Sequence, residues 1–298
     1  MKVFRFFDFV IASEISIPYL SETDGKPDVH IHFSKFPFND SLAGEKGGNG
    51  LWGRANNNSF EFRANGIARY LVHKGTEILI DPFPQADKNK VRGLLTGIVI
   101  AALLHQRGFV VLHGGAVNFG NTGMLFLGES GAGKSSLVSY IQTHGAMVLS
   151  DELCILKKDI NGIIMTWPVL PHFMLCEDAI QRQRIKANKI QPGDEKFRIS
   201  ADSFSEVPIS ISRIAVLQKS SAGLSWRLPG EIEKLKLILR NLYLRAFLND
   251  MDEVKSQIIK FSIDLLNQAD LRVVYRPFES LDEKDFLRKI EESFEYCS

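Results

Sequence analysis

The stretch LGESGAGKSSL, residues 127–137, puts Gly128, Gly133, Lys134 and Ser135 in the pattern G-x-x-x-x-G-K-[ST]. Residues of these types at this spacing suit the binding of nucleotide phosphates. Glycines let the backbone curl until consecutive N–H groups converge on an anion, and the helix that follows adds the positive end of its dipole. Lys134 has the length to reach the β- and γ-phosphates, and the Ser135 hydroxyl is a natural Mg²⁺ ligand. The expected nucleotide contacts are therefore Gly128, Glu129, Ser130, Gly131, Ala132, Gly133, Lys134, Ser135 and Ser136.

A second constellation follows closely. VLSDEL places Asp151 and Glu152 at the end of an apolar run, with Asp151 only 17 positions after Lys134. Such short spacing is typical of compact kinases. One carboxylate would hold the metal while the other takes a proton from an attacking hydroxyl. Asp151 is expected as the metal partner together with Ser135, and Glu152 as the base, although the two roles are interchangeable at this level. His113, in LHGGAV, is expected just before the turn into the strand that feeds the loop. Two glycines directly after it allow close backbone approach, so it is placed at the border of the site. Lys196 and Arg198 in EKFRIS are candidate phosphate contacts, and Arg213 is a further one.

These residues need elements to hold them. GMLFLG reads as a strand leading into the glycine loop. A helix is expected from Lys134 to His144, stopped by Gly145, and AMVLS makes another strand ending at the acidic pair. Strand, loop, helix and strand in 30 residues form an α/β phosphate-binding unit. Residues 1–86 read as strands, including a hairpin that turns at Lys74-Gly75, with residues 39–59 as a loop rich in Gly and Asn. Residues 87–107 read as a helix. Beyond the core, a hairpin turns at Asn161-Gly162, a helix covers 175–188 and ISRIAVLQK is a strand. Amphipathic helices span roughly 229–249 and 252–268, then come the strand LRVVYRP and a last helix over 281–294. The expected division is a β-rich accessory domain at 1–86 and a kinase domain at 87–298.

Composition sets the limits. The chain has 298 residues, 45% hydrophobic and 24% charged, enough for one large domain or two ordinary ones. A net charge of +1 provides no global field for nucleic acid or an anionic membrane. Cys154, Cys176 and Cys297 lie far apart without metal-ligand spacing, as in a reduced, cytoplasmic protein. The opening MKVFRFFDFVIASEISIP carries Asp8 within its apolar run and no cleavage site, and GLLTGIVIAALL is too short to span a bilayer. The sequence leaves room for a homo-oligomer.

Residues 112–152, LHGGAVNFGNTGMLFLGESGAGKSSLVSYIQTHGAMVLSDE, resemble the catalytic core of the HPr serine kinase/phosphorylase family. That family shows His-Gly, a short spacer, a strand, G-x-S-G-x-G-K-S, a helix ending in Gly, and a strand ending in paired acidic residues. His113, Lys134, Ser135, Asp151 and Glu152 fall on functional positions of that motif. The resemblance implies an α/β fold related to the ATP-dependent phosphoenolpyruvate carboxykinases, with ATP and Mg²⁺ used to phosphorylate a serine. There are departures. Asp151-Glu152 stands where the family shows two aspartates, and the Glu-x-Arg-Gly-x-Gly signature of the bifunctional enzymes is missing, so phosphorylase activity is not expected. The region ahead of the motif looks more like the divergent HPr-kinase-like proteins, a branch that includes the lasso-peptide kinases, which phosphorylate a C-terminal serine of a precursor peptide.

The expectation is an ATP-dependent serine kinase of a peptide or small protein. A small-metabolite kinase would share the short lysine-to-carboxylate spacing without needing the LHGG element. A non-enzymatic nucleotide-binding regulator is the third reading. No LSGGQ-like signature occurs, which argues against an ABC-type ATPase.

Overall fold

A computed structural model describes the chain except for residues 18–19, 38–44, 47–50, 121, 186–195, 279–281 and 296–298. The polypeptide divides into two units, residues 1–111 with 243–260 and residues 112–242 with 261–298.

The first unit is built on an eight-stranded sheet. Its strands are β1 (Lys2–Phe6), β2 (Phe9–Ser13), β3 (Val29–Phe33), β4 (Glu45–Lys46), β5 (Leu51–Ala55), β6 (Ser59–Ala64), β7 (Ala68–His73) and β8 (Glu77–Pro82), in the order β1-β2-β3-β8-β7-β6-β5-β4. Strict alternation sets β6 to β8: Phe60, Phe62, Tyr70, Val72, Ile78 and Ile80 are buried and their neighbours are not. The hairpin at Lys74-Gly75 forms as expected, with both residues at positive φ. Within the stretch expected as a loop, residues 51–55 instead form β5, paired to β6 in regular antiparallel register. Cross-strand pairing there overrides a Gly- and Asn-rich composition.

The helix expected over 87–107 is present as α1 (Lys88–Leu94), a π-helical turn at Leu95–Val99 and α2 (Ile100–Gln106), capped at its start by Asp87 and ended by Gly108 at φ 80°. It belongs to the first unit, so the 86/87 boundary expected from the sequence falls inside that unit.

His105 lies buried in this unit, with one ring nitrogen 3.2 Å from the Phe109 carbonyl and the other 3.1 Å from that of Tyr243. Burial pushes its pKa down to about 4, against the pull of both carbonyls. The unfolded chain takes up this proton near the ordinary value of about 6.5, so His105 contributes fully to stability above that pH. Its contribution is lost as pH falls from about 6.5 toward 4, to a limit of about 3 kcal/mol. Denaturant titrations between pH 7.5 and 4.5 should show this slope, and His105→Gln should flatten it.

The second unit starts from β9 (Val110–Phe119), whose first residues belong to the first unit, and β10 (Thr122–Leu127), followed by α3 (Lys134–Gln142), β11 (Met147–Lys158) and β12 (Ile164–Trp167). Next come β13 (His172–Cys176), α4 (Glu177–Gln183), β14 (Lys196–Ser200), β15 (Ile209–Lys219), β16 (Ser225–Arg227) and α5 (Glu231–Arg240). The last elements are α6 (Asp252–Gln268), β17 (Asp270–Arg276) and α7 (Glu283–Glu295). The main sheet runs β10-β9-β11-β12-β15-β17-β16, and β10 also pairs with β15. Strands β10, β15 and β17 are mutually parallel, whereas β9 is antiparallel to β10. Helices α3 and α7 cover the sheet through Leu137, Val138, Ile141, Phe286 and Ile290, which pack on Phe126, Ala215, Leu217 and Val274.

Three local expectations change. The helix expected over 175–188 is helical only at Glu177–Gln183, because Leu175 and Cys176 still belong to β13 and Arg184 turns to φ 54°. The helix expected over 229–249 stops at Arg240, because Leu244 turns to φ 63° and a 3₁₀ helix takes over at Arg245–Asp250. The strand expected to end at the acidic pair instead runs on to Lys158. Among the described residues, no helix is long and apolar enough to cross a membrane.

Candidate functional site

Strand β10 is almost wholly buried and delivers the chain to Gly128 at the carboxyl end of the parallel strands. Gly128 has φ 139°, and a β-carbon there would stand 2.4 Å from the Leu217 carbonyl oxygen, so no other residue fits. The loop curls through Gly131 and Gly133, and α3 begins at Lys134 with no side-chain cap. Its first N–H groups are therefore left for solvent or an anion. Lys134 is buried and folds across the loop, with Nζ donating to the carbonyls of Gly128 at 2.7 Å and Glu129 at 3.0 Å.

Strand β9 lies between β10 and β11, so the acidic strand is not the immediate neighbour of the loop strand. Gly114 and Gly115 make the close packing possible. A β-carbon on Gly114 would be 2.6 Å from the Phe126 carbonyl oxygen, and one on Gly115 would be 2.6 Å from Val138 Cγ2 and 3.8 Å from Asp151 Oδ1. Thus α3 can sit down on the sheet, with Asp151 beside Gly115. Ser135 Oγ donates to Asp151 Oδ1 at 2.9 Å, and the Met174 N–H donates to Oδ2 at 3.0 Å. His113 lies within β9 rather than just before a turn, and its N–H donates to the Asn241 carbonyl at 2.7 Å.

Glu152 follows in mid-strand with φ 75°, an uncommon backbone conformation for a residue with a side chain. The turn there interrupts the continuous burial of β11: residues 148–150 and 153–156 are buried, while Asp151 is partly exposed and Glu152 exposed. Both carboxylates thereby face a cleft of about 320 Å³. Backbone strain of this kind, of order 1–3 kcal/mol, concentrates at functional sites.

The same cleft is lined by His113, Ser130, Gly131, Gly133, Lys134, Ser135 and Ser136. Most of the residues expected from the sequence therefore converge. Gly128 and Ala132 are buried in the body of the loop, and Glu129 contributes a carbonyl to Lys134. Arg198 is exposed on β14 and pairs in register with Met174, but it does not line the cleft. Lys196 pairs through its backbone with Cys176, and its side chain lies outside the described residues. Arg213 packs over the Phe294 ring at 5.5 Å, away from the cleft, as a structural cation.

Other lining residues carried no signal that sequence reasoning used. Arg182 pairs with Asp178 at 2.6 Å and Glu283 at 3.4 Å. Burial opposes its charge, but these partners hold its pKa above the ordinary value. Cys176 donates its thiol proton to Asp178 at 2.6 Å, and burial together with that carboxylate pushes the thiol pKa up. Lys219 and Arg276 end β15 and β17, where a basic residue closing an apolar strand is a usable signal. Burial and the Arg182 charge lower the pKa of Arg276.

Asn241, just past α5, connects two parts of the site. Its Oδ1 accepts the Gly128 N–H at 2.8 Å, its backbone carbonyl accepts that of His113, and its Nδ2 is anchored on the Leu237 carbonyl at 2.8 Å. Asn241→Leu should leave the buried Gly128 N–H without its acceptor, at about 1–3 kcal/mol. Denaturant unfolding should report that loss, and hydrogen exchange at the Gly128 amide should accelerate. Unchanged exchange would mean that Asn241 is not the anchor.

No protein-family model matches the chain, and no curated protein matches it. Among solved structures, the HPr(Ser) kinase/phosphatase from Coxiella burnetii aligns with 62% of this chain and 93% of its own, at 11% identity and a TM-score of 0.33. At that level of likeness, the functional reading rests on the geometry of the cleft.

Proposed function

We propose that the chain is an ATP-dependent serine kinase that transfers the γ-phosphate to a serine hydroxyl of a peptide or small protein. The observation that carries this reading is the 2.9 Å bond from Ser135 to Asp151, which ties the glycine loop to the acidic pair within one cleft. Nucleotide phosphates would lie against the N–H groups of residues 130–135, with Lys134 beside them.

Ser135 and Asp151 would hold Mg²⁺. Among the described residues no three or more His, Cys, Asp or Glu gather as a metal cage. A hydroxyl and a carboxylate suit Mg²⁺, which keeps several waters and takes its remaining ligands from phosphates. Once bound, the ion neutralises phosphate charge. Glu152, exposed and turned into the cleft, takes the hydroxyl proton as the new P–O bond forms. His113 lies close enough to help position the acceptor.

The finer reading of the acceptor is a serine on a flexible peptide, such as the C-terminal serine of a ribosomal natural-product precursor in the cytoplasm. The resemblance of residues 66–117 to the divergent HPr-kinase-like proteins supports it. Incubation with γ-labelled ATP and Mg²⁺, with serine peptides encoded beside the gene or with small hydroxylated metabolites, tests the reading. Label on a peptide serine supports it. Label on a metabolite replaces it with a small-molecule kinase, and nucleotide binding without turnover of any acceptor replaces it with a regulator.

A further inference from the structure

We infer that Lys219 and Arg276 bind the terminal phosphate of a nucleoside triphosphate and make the cleft prefer triphosphate over diphosphate; this inference rests on the nucleotide reading above.

Topology brings the two cations to the loop. Strands β10, β15 and β17 run parallel, so their carboxyl ends share one edge of the sheet, where open α/β sheets bind ligands. The glycine loop leaves β10 at that edge. Lys219 and Arg276 are the last residues of the other two strands and are partners in register.

Contacts place them against the loop. A β-carbon on Gly133 would lie 2.6 Å from Arg276 Nη1, and one on Gly131 would lie 3.7 Å from Lys219 Nζ. Both cations thus stand beside the glycines whose positive φ curls the loop. The Arg276 guanidinium also lies 6.0 Å from the Phe286 ring centroid, which limits where it can point.

The cleft is lined by the cations Lys134, Arg182, Lys219 and Arg276 and by the carboxylates Asp151, Glu152 and Asp178. Arg182 pairs with Asp178 and Glu283, and the same two carboxylates also act on Arg276. Asp151 is tied to Ser135 and Met174, and together with Glu152 it belongs to the acidic strand β11. Lys134 is folded onto loop carbonyls near Gly128. Lys219 and Arg276 place two cations on the outer side of the loop, in addition to Lys134. A diphosphate bound along the loop would be served by Lys134 and the backbone, whereas a third phosphate adds charge on the side these two residues face. The planar fork of an arginine suits a phosphate edge.

The test measures dissociation constants of a non-hydrolysable nucleoside triphosphate and of the matching diphosphate, with Mg²⁺, for the native chain, Arg276→Gln and Lys219→Ala. Arg276→Gln should weaken triphosphate binding by roughly 10- to 100-fold and leave diphosphate binding within about 3-fold. Lys219 is exposed, so Lys219→Ala keeps the fold and should cost the triphosphate about 2- to 5-fold. If Arg276→Gln fails to fold, Lys219→Ala and Arg276→Lys carry the test, and the lysine should recover only part of the preference. Equal losses for both nucleotides, or no loss for either, would overturn the assignment while leaving nucleotide binding intact. A native chain that binds neither nucleotide would overturn both readings.

Discussion

Replacing Lys134 by alanine should abolish phosphoryl transfer, and the structure adds an effect on the loop itself. The side chain offers a charge-assisted contact to phosphate worth about 1.5–3 kcal/mol, or roughly 10- to 150-fold in nucleotide affinity. Its effect on transfer should be larger, because charge developing in the transition state is what the ammonium is placed to meet. Lys134 also donates to the carbonyls of Gly128 and Glu129 and is only 7% exposed. Alanine would remove both bonds, so unfolding should become easier by about 1–3 kcal/mol. Lys134→Met keeps the apolar stem and separates the two effects: it should retain more stability than alanine while transferring no better. Circular dichroism melts, nucleotide titration and labelled-ATP turnover on the same preparations decide the matter. Normal transfer by either variant would remove the kinase reading.

The loop was legible in the sequence because its information is local. Gly128, Gly133, Lys134 and Ser135 stand at fixed spacing within eight residues, and a buried strand before them and a helix after them complete the unit. Much of the rest depends on contacts between distant segments. That β9 inserts between β10 and β11 is a matter of register, and spacing alone cannot reveal it. Yet the two glycines after His113, singled out for close approach, do meet close neighbours, Gly114 the Phe126 carbonyl and Gly115 the Val138 side chain of α3. The stop expected after the acidic pair became a turn in mid-strand, because two polar residues interrupt an apolar run there as a strand end does. Lys219 and Arg276 each close an apolar strand, but only the parallel pairing of β15 with β17 brings them together at the loop. Asn241 lies more than 100 positions from Gly128, and nothing in its surrounding sequence distinguishes it from an ordinary helix end.

Glu152→Gln should leave nucleotide binding nearly unchanged while transfer falls by roughly 10²–10⁴-fold. A serine hydroxyl is a poor nucleophile at neutral pH, and an amide of the same shape cannot accept its proton. The left-handed backbone at Glu152 gives a companion test: Glu152→Gly should relieve strain and raise stability by about 1 kcal/mol, yet be as inactive as glutamine. Asp151 should behave differently, since both of its oxygens accept protons, one from Ser135 Oγ and the other from the Met174 N–H. An asparagine has one acceptor and one donor group. If its oxygen faces Met174, its amide N–H turns on Ser135 and reorients that hydroxyl; if it faces Ser135, two N–H groups confront each other at Met174. In either arrangement the hydroxyl–carboxylate pair proposed for Mg²⁺ is disrupted, so Asp151→Asn should weaken Mg²⁺-dependent nucleotide binding as well as turnover. Titrations with and without Mg²⁺, run beside single-turnover transfer, assign the roles. If Asp151→Asn keeps its metal dependence but loses turnover while Glu152→Gln transfers normally, the base is Asp151 and the roles are exchanged. Activity in both variants would move the catalytic centre away from β11.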